Sequence, residues 1–143
     1  MAVTDDQIAA LHAQLSGSHD EHRRLIAELD SRGALAGYTA VVTAAFIEAV
    51  DRRFGPHGAD DAAVIEFVGD VRSRFPGADD EIDPVAAERV VRKALGRGSI
   101  SDLDGATIRR IEALLLPVLV ADEHLNDQEL DQFLAAARKL LES

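Results

Sequence analysis

The stretch from Glu112 to Leu130, EALLLPVLVADEHLNDQEL, limits what this chain can fold into more than any other. It holds the longest apolar run, Ala113 to Ala121, sets a proline inside it, and follows it with an acidic turn that opens a last helix. Nine residues are too few to cross a bilayer, which takes about eighteen apolar residues or more. The run is therefore expected to be a core helix that other helices cover. Pro117 has no amide N–H, and its ring crowds the carbonyl of Ala113, at a cost of about 3 kcal/mol inside a straight helix. A kink between Ala113 and Pro117, or a helix that stops and restarts there, is predicted.

The rest of the chain supplies covering helices. Thr4 and Gln7 form a capping box that starts a helix at Asp5, with Val3 and Ile8 as its hydrophobic staple, Leu11 and Leu15 on its apolar face and Gly17 at its end. Ser18 or Asp20 caps a second helix carrying Leu25, Ile26 and Leu29 and ending before Gly33. The clearest 3.6-residue period runs from Leu35 to Phe54, with Tyr38, Val41, Val42, Ala45, Phe46, Ala49 and Val50 on one face, and Gly55-Pro56 ends it. Asp60 or Asp61 opens a fourth helix through Val64, Phe67, Val68 and Val71, closed by Phe75-Pro76-Gly77.

Asp83-Pro84 is a firm start for a fifth helix, because Pro at the first helical position gives up a hydrogen bond that position would not make. Its buried face is expected at Val90, Val91, Ala94 and Leu95. A sixth helix begins near Ser101 or Asp104 and runs through Ile111, Leu115 and Leu119. Asn126 and Glu129 form a second capping box for the last helix, which should bury Leu130, Phe133, Leu134, Ala137 and Leu141. The expected fold is all-α, a single irregular or orthogonal bundle of six or seven helices spanning residues 1–143, with the third and sixth helices nearest its centre. The loosest joints are expected at Gly96 to Gly105 and at Gly55 to Ala59.

Composition supports helices and narrows the function. The chain is 47% hydrophobic but has no Cys or Trp, and its alanine-rich content favours helices over strands, which take β-branched and aromatic residues. A formal net charge of -11 repels nucleic-acid phosphates and anionic lipid, so neither nucleic acid nor a membrane is an expected partner. The pairs Arg23-Arg24, Arg52-Arg53 and Arg109-Arg110 lie near acidic residues and read as solvated helix faces. The lack of cysteine fits the cytosol, and the acidic, polar amino terminus differs from the basic and then apolar start of a signal peptide. A cytoplasmic protein is expected.

Recognisable catalytic chemistry is missing. There is no thiol, no GxSxG elbow and no glycine-rich phosphate loop, and no cofactor is implied. His19 and His22 form an HxxH pair that His12 could join from the first helix, but a transition-metal site needs three or four converging ligands. The acidic turns offer the candidate oxygen ligands for a hard cation: Asp79, Glu81 and Asp83 in one, Asp122, Asn126 and Glu129 in the other. Neither is an EF-hand loop. Carboxylates at a helix start also stabilise it by about 0.3–1 kcal/mol each, which accounts for their position without an ion.

The turn Ala121 to Glu129 resembles the acidic inter-helix motif of TerB-like tellurite-resistance domains, small helical proteins associated with metal binding; Glu123 stands where that motif usually has glycine. The segments FIEAVDRRFGP, IDPVAAERVVRKALG and LVADEHLNDQELDQFLAAAR resemble small helical proteins of high-GC actinobacteria, which implies a helical fold and no activity. Two functions follow as expectations. One is a cytoplasmic interaction or scaffold domain without catalytic activity, its protein partner unspecified and a homodimer one form of it. The other is an acidic metal-binding or sensing domain of the TerB-like kind.

Overall fold

The computed structural model describes residues 3–55, 60–74 and 82–142, and among these it contains seven α-helices and no strand. They are α1 (Asp5–Leu15), α2 (His19–Ser31), α3 (Leu35–Phe54), α4 (Asp61–Arg74), α5 (Pro84–Ala94), α6 (Gly105–Glu123) and α7 (Asp127–Glu142). The helices group into two compact units, Met1–Glu48 with Val120–Ser143, and Ala49–Leu119. Both divisions fall inside a helix, α3 and α6, which are the two longest.

In the first unit, α1 packs on α2 and on α7. Thr4 and Gln7 form the expected reciprocal capping box: the Gln7 amide donates to Thr4 Oγ1 at 3.3 Å, and the Thr4 amide donates to Gln7 Oε1 at 3.0 Å. Gly17 and Gly33 take positive φ of 86° and 68° at the ends of α1 and α2, a region that costs glycine nothing. The α1–α2 core is Ala10, Ala13, Leu25 and Leu29, with Ile26, Ala34, Leu35 and Tyr38 packed around it. Small side chains on α1 allow a close approach to α2, and His22 Nδ1 reaches the Ala10 carbonyl at 2.8 Å. Arg138 on α7 ties the first turn of α1, donating to Asp5 Oδ1 at 2.8 Å and to the Val3 carbonyl at 2.9 Å.

In the second unit, α4 packs on α5. The expected face of α4 is buried at Val64, Phe67, Val68 and Val71. On α5 the buried set is Ala86, Ala87, Val90 and Val91, while Ala94 and Leu95 are only half-buried. The face thus begins one turn earlier than expected, because the alanines after Pro84 carry packing that the apolar period assigns to the last turn. Phe54 and Phe67 meet edge to face at a centroid separation of 5.7 Å, with the Arg53 guanidinium 5.2 Å over the Phe67 ring.

The joint from Gly96 to Gly105, expected to be the loosest, is tied at several points. Arg89 donates through both terminal nitrogens to the Asp102 carboxylate, one bond being 3.0 Å, and also to the Ser99 carbonyl at 2.7 Å. Arg97 pairs with Asp61 at 2.9 Å. A bidentate arginine fixes orientation as well as distance, which is why this glycine-rich loop is held. Residues 56–59, the core of the other expected joint, and the expected stop at Phe75-Pro76-Gly77 lie outside the described residues.

Helix α6 begins after Asp104, whose Oδ1 accepts from the Thr107 amide at 2.8 Å and whose Oδ2 accepts from the Thr107 hydroxyl at 3.1 Å. That settles the start in favour of Asp104 over Ser101. Ile111, Leu115 and Leu119 are buried as expected. The helix continues through Pro117 to Glu123 without stopping, so the predicted stop and restart does not occur. Ala113, whose carbonyl Pro117 cannot serve, is an exposed residue. In α7, Leu130, Phe133, Leu134 and Ala137 are buried, and Leu141 is half-buried because it lies in the last, solvent-facing turn. No helix among the described residues is long and apolar enough to cross a membrane.

Candidate functional site: an acidic groove between α1, α2 and α7

An open groove of about 740 Å³ lies in the first unit, between α1, α2 and the start of α7. Helical periodicity builds its floor: Ile8, Ala9 and Ala13 line it from α1 and Leu25 from α2. Ala13 and Leu25 also belong to the α1–α2 core, so the floor is the outer edge of that core. The walls carry Asp5 and His12 from α1, Glu21 from α2, and Asp127 and Asp131 from α7. Asp127 and Asp131 are four residues apart and so share one face of their helix.

The groove is polarised. Among the described residues it presents four carboxylates and one imidazole, and neither Lys nor Arg lines it. His12 Nε2 lies 3.3 Å from Asp131 Oδ1, an exposed contact whose Asp131 side chain is 71% accessible. Asp5 is braced from behind by Arg138. Arg24 hydrogen-bonds Glu21 and holds its carboxyl below the usual carboxylate range, so Glu21 stays anionic to lower pH than a free glutamate.

The ligand candidates read from the acidic turns fall elsewhere or are occupied. Asp79 and Glu81 lie outside the described residues. Asp83 caps α5, its Oδ2 accepting from the Ala86 amide at 2.9 Å. Asn126 and Glu129 cap α7 reciprocally: Asn126 Oδ1 accepts from the Glu129 amide at 2.8 Å, and Glu129 Oε1 accepts from the Asn126 amide at 3.0 Å. Asp122 is half-buried near the end of α6. The three histidines diverge: His12 faces Asp131, His22 bonds the Ala10 carbonyl, and His19 opens α2. Among the described residues, no group of three or more His, Cys, Asp or Glu is placed to hold a metal ion.

The acidic turn has a second feature that its residue types do not announce. His124 takes φ of 54°, the one non-glycine residue with positive φ among those described, and closes the end of α6 with its amide donating to the Ala121 carbonyl at 3.1 Å. It lines a shallow depression of about 270 Å³ with Leu15, Val120 and Leu125.

The groove itself is not among the sites the sequence suggests. There Ile8 reads as a staple and Asp5 as the start of a helix, while Asp131 carries no reading at all. The spacing of Asp127 and Asp131, together with an apolar Ile8-Ala9 beside the Leu11 face, is the available signal. Compared with protein-family models, curated proteins and solved structures, the chain matches none of them.

Proposed function

We propose that this protein is a small helical interaction domain that receives a partner in the α1–α2–α7 groove and has no catalytic role. One observation carries the reading: a groove open to solvent, where exposed Ala9 and half-buried Ile8 lie over the buried Ala13 and Leu25 and are rimmed by charge. Apolar surface left open within a polar rim is the usual form of a binding surface. The same groove offers no activated nucleophile, since His12 faces an exposed carboxylate and the Ser16 hydroxyl at the groove edge donates to the Ala13 carbonyl at 3.3 Å. A cytoplasmic location remains part of this proposal.

Position-specific cross-linking tests it. A photoreactive residue at Ala9, in the groove, is compared with one at Ile65, which is 50% exposed on α4. The reading expects a discrete adduct from Ala9 in the source cell, reproduced with the purified partner and absent from Ile65. No adduct from Ala9, or the same adducts from both positions, removes it.

The acidic metal-binding reading rests on the turns alone, where Asp83, Asn126 and Glu129 already serve helix caps. An ion at a hundred times its dissociation constant would stabilise the fold by about 2.7 kcal/mol. Melts in EDTA, Mg2+, Ca2+ and Zn2+ therefore test it directly, and unchanged midpoints in all four would sink it.

A further inference from the structure

We infer that the occupant of the groove is a cationic amphipathic helix presented by another protein. The inference rests on the interaction reading above and adds the chemistry of the partner. Two properties select it. The accessible part of the floor, Ile8 and Ala9 on α1, offers apolar contact along one side of a ligand. The walls offer Asp127 and Asp131, beside Asp5 and Glu21, which Arg138 and Arg24 already hold, so charge complementarity on the α7 side asks for Lys or Arg flanking the apolar side of the ligand. A helix with an apolar stripe and basic flanks meets both demands at once, as groove-bound helices do.

A second copy of the chain meets neither demand well. Each copy carries a formal charge of -11, and bringing two acidic grooves or faces together sets like charges against each other. An acidic or neutral peptide would bring no positive charge to Asp127 and Asp131, whereas Asp5 and Glu21 already have Arg138 and Arg24 beside them. Asp127 and Asp131 are exposed and on one helix face, so they can meet basic residues without breaking any buried contact.

The test uses the full chain and three labelled eighteen-residue peptides followed by fluorescence anisotropy: a Leu/Lys amphipathic helix, the same helix with Glu for Lys, and a scrambled Leu/Lys peptide of identical composition. The Leu/Lys helix should bind at least tenfold more tightly than either control. Asp127→Asn with Asp131→Asn should weaken it about tenfold at low salt, with the loss shrinking at high salt as screening grows. Glu66→Gln with Asp70→Asn, which removes two carboxylates from α4, should change it less than twofold. Unaltered melting midpoints of both double variants show that folding is not the cause.

Equal losses from the two double variants would reveal attraction to net charge alone and overturn the inference. So would equal binding of the scrambled or Glu-bearing peptide. If cross-linking at Ala9 yields a partner whose bound segment is acidic or not helical, the inference fails while the interaction reading stands. If Ala9 yields no adduct, that reading fails whatever the peptides do. Light scattering that shows a dimer broken by Asp127→Arg would name a second copy as the occupant and overturn the foreign partner.

Discussion

The Nε2 amide of Gln7 occupies the space that a side chain at Gly37 would need: a Cβ there would lie 2.1 Å from it. Gln7 is 3% exposed, caps α1 through its Oε1, and spans to the start of α3 by donating from Nε2 to the Ala34 carbonyl at 3.1 Å. A small residue on α3 is thus what lets one glutamine serve two helices. Alanine at a helical position is otherwise better than glycine by about 1 kcal/mol. Gly37→Ala should therefore gain little or lose stability in the native chain, because it displaces Gln7 and its bonds. In a Gln7→Ala background the same substitution should stabilise by about 1 kcal/mol. A double-mutant cycle by denaturant unfolding measures the difference, and simple additivity would show that Gln7 moves aside without cost.

Tyr38 links α3 to α1, its hydroxyl donating to Gln14 Oε1 at 3.2 Å, and burial pushes its phenol up to about 12. The unfolded chain releases this proton near 10, so between about pH 10 and 12 the folded state binds more protons than the unfolded one. Stability contributed by the neutral phenol is full below about pH 10 and falls as pH rises through that window. Tyr38→Phe should flatten this part of the stability curve. Tyr38 is the only tyrosine and there is no tryptophan, so phenolate absorbance follows the group directly. A midpoint near 10 in the folded protein, the value of a free phenol, would contradict the burial argument.

His124 holds a left-handed backbone that glycine would adopt freely. At φ of 54° it occupies the position after α6 where helices often place glycine. The strain of a Cβ there exceeds the extra chain entropy that glycine loses on folding, so His124→Gly should stabilise by about 0.5–1 kcal/mol. The denaturant midpoint should rise with an unchanged slope. A fall would mean that the imidazole makes packing in its depression worth more than the strain.

Helix starts were legible because their chemistry is local. Thr4 with Gln7, Asp83 with Pro84 and Asn126 with Glu129 each carry the whole instruction within four residues, and the structure uses all three. The apolar period also placed α3 at Leu35–Phe54. What a linear reading could not display is pairing across helices. Arg138 meets Asp5 across 133 positions, and Gln7 reaches Ala34 across 27. The candidate groove is of this second kind: α7 brings Asp127 and Asp131 beside an α1 face that periodicity alone marks as ordinary. Acidic residues group turn by turn along the chain, whereas the groove gathers them from three helices.

Pro117 remains the sharpest conflict between local preference and the fold. The helix runs unbroken from Gly105 to Glu123 across it, which places a residue without an amide N–H where the Ala113 carbonyl would accept. Buried neighbours on both sides, Leu115, Leu116, Val118 and Leu119, hold the helix in place against that loss. Burial of such side chains is worth about 1.5–3 kcal/mol each, enough in sum to override one proline. Pro117 itself is only half-buried, so replacing it sacrifices little packing. Pro117→Ala should then stabilise the protein by about 1–3 kcal/mol by restoring the bond to Ala113 and relieving the ring's clash. Thermal and denaturant unfolding measure it, and slow hydrogen exchange of the amide that the substitution introduces would report the restored bond. Destabilisation would show instead that the proline ring is a packing element of the helix.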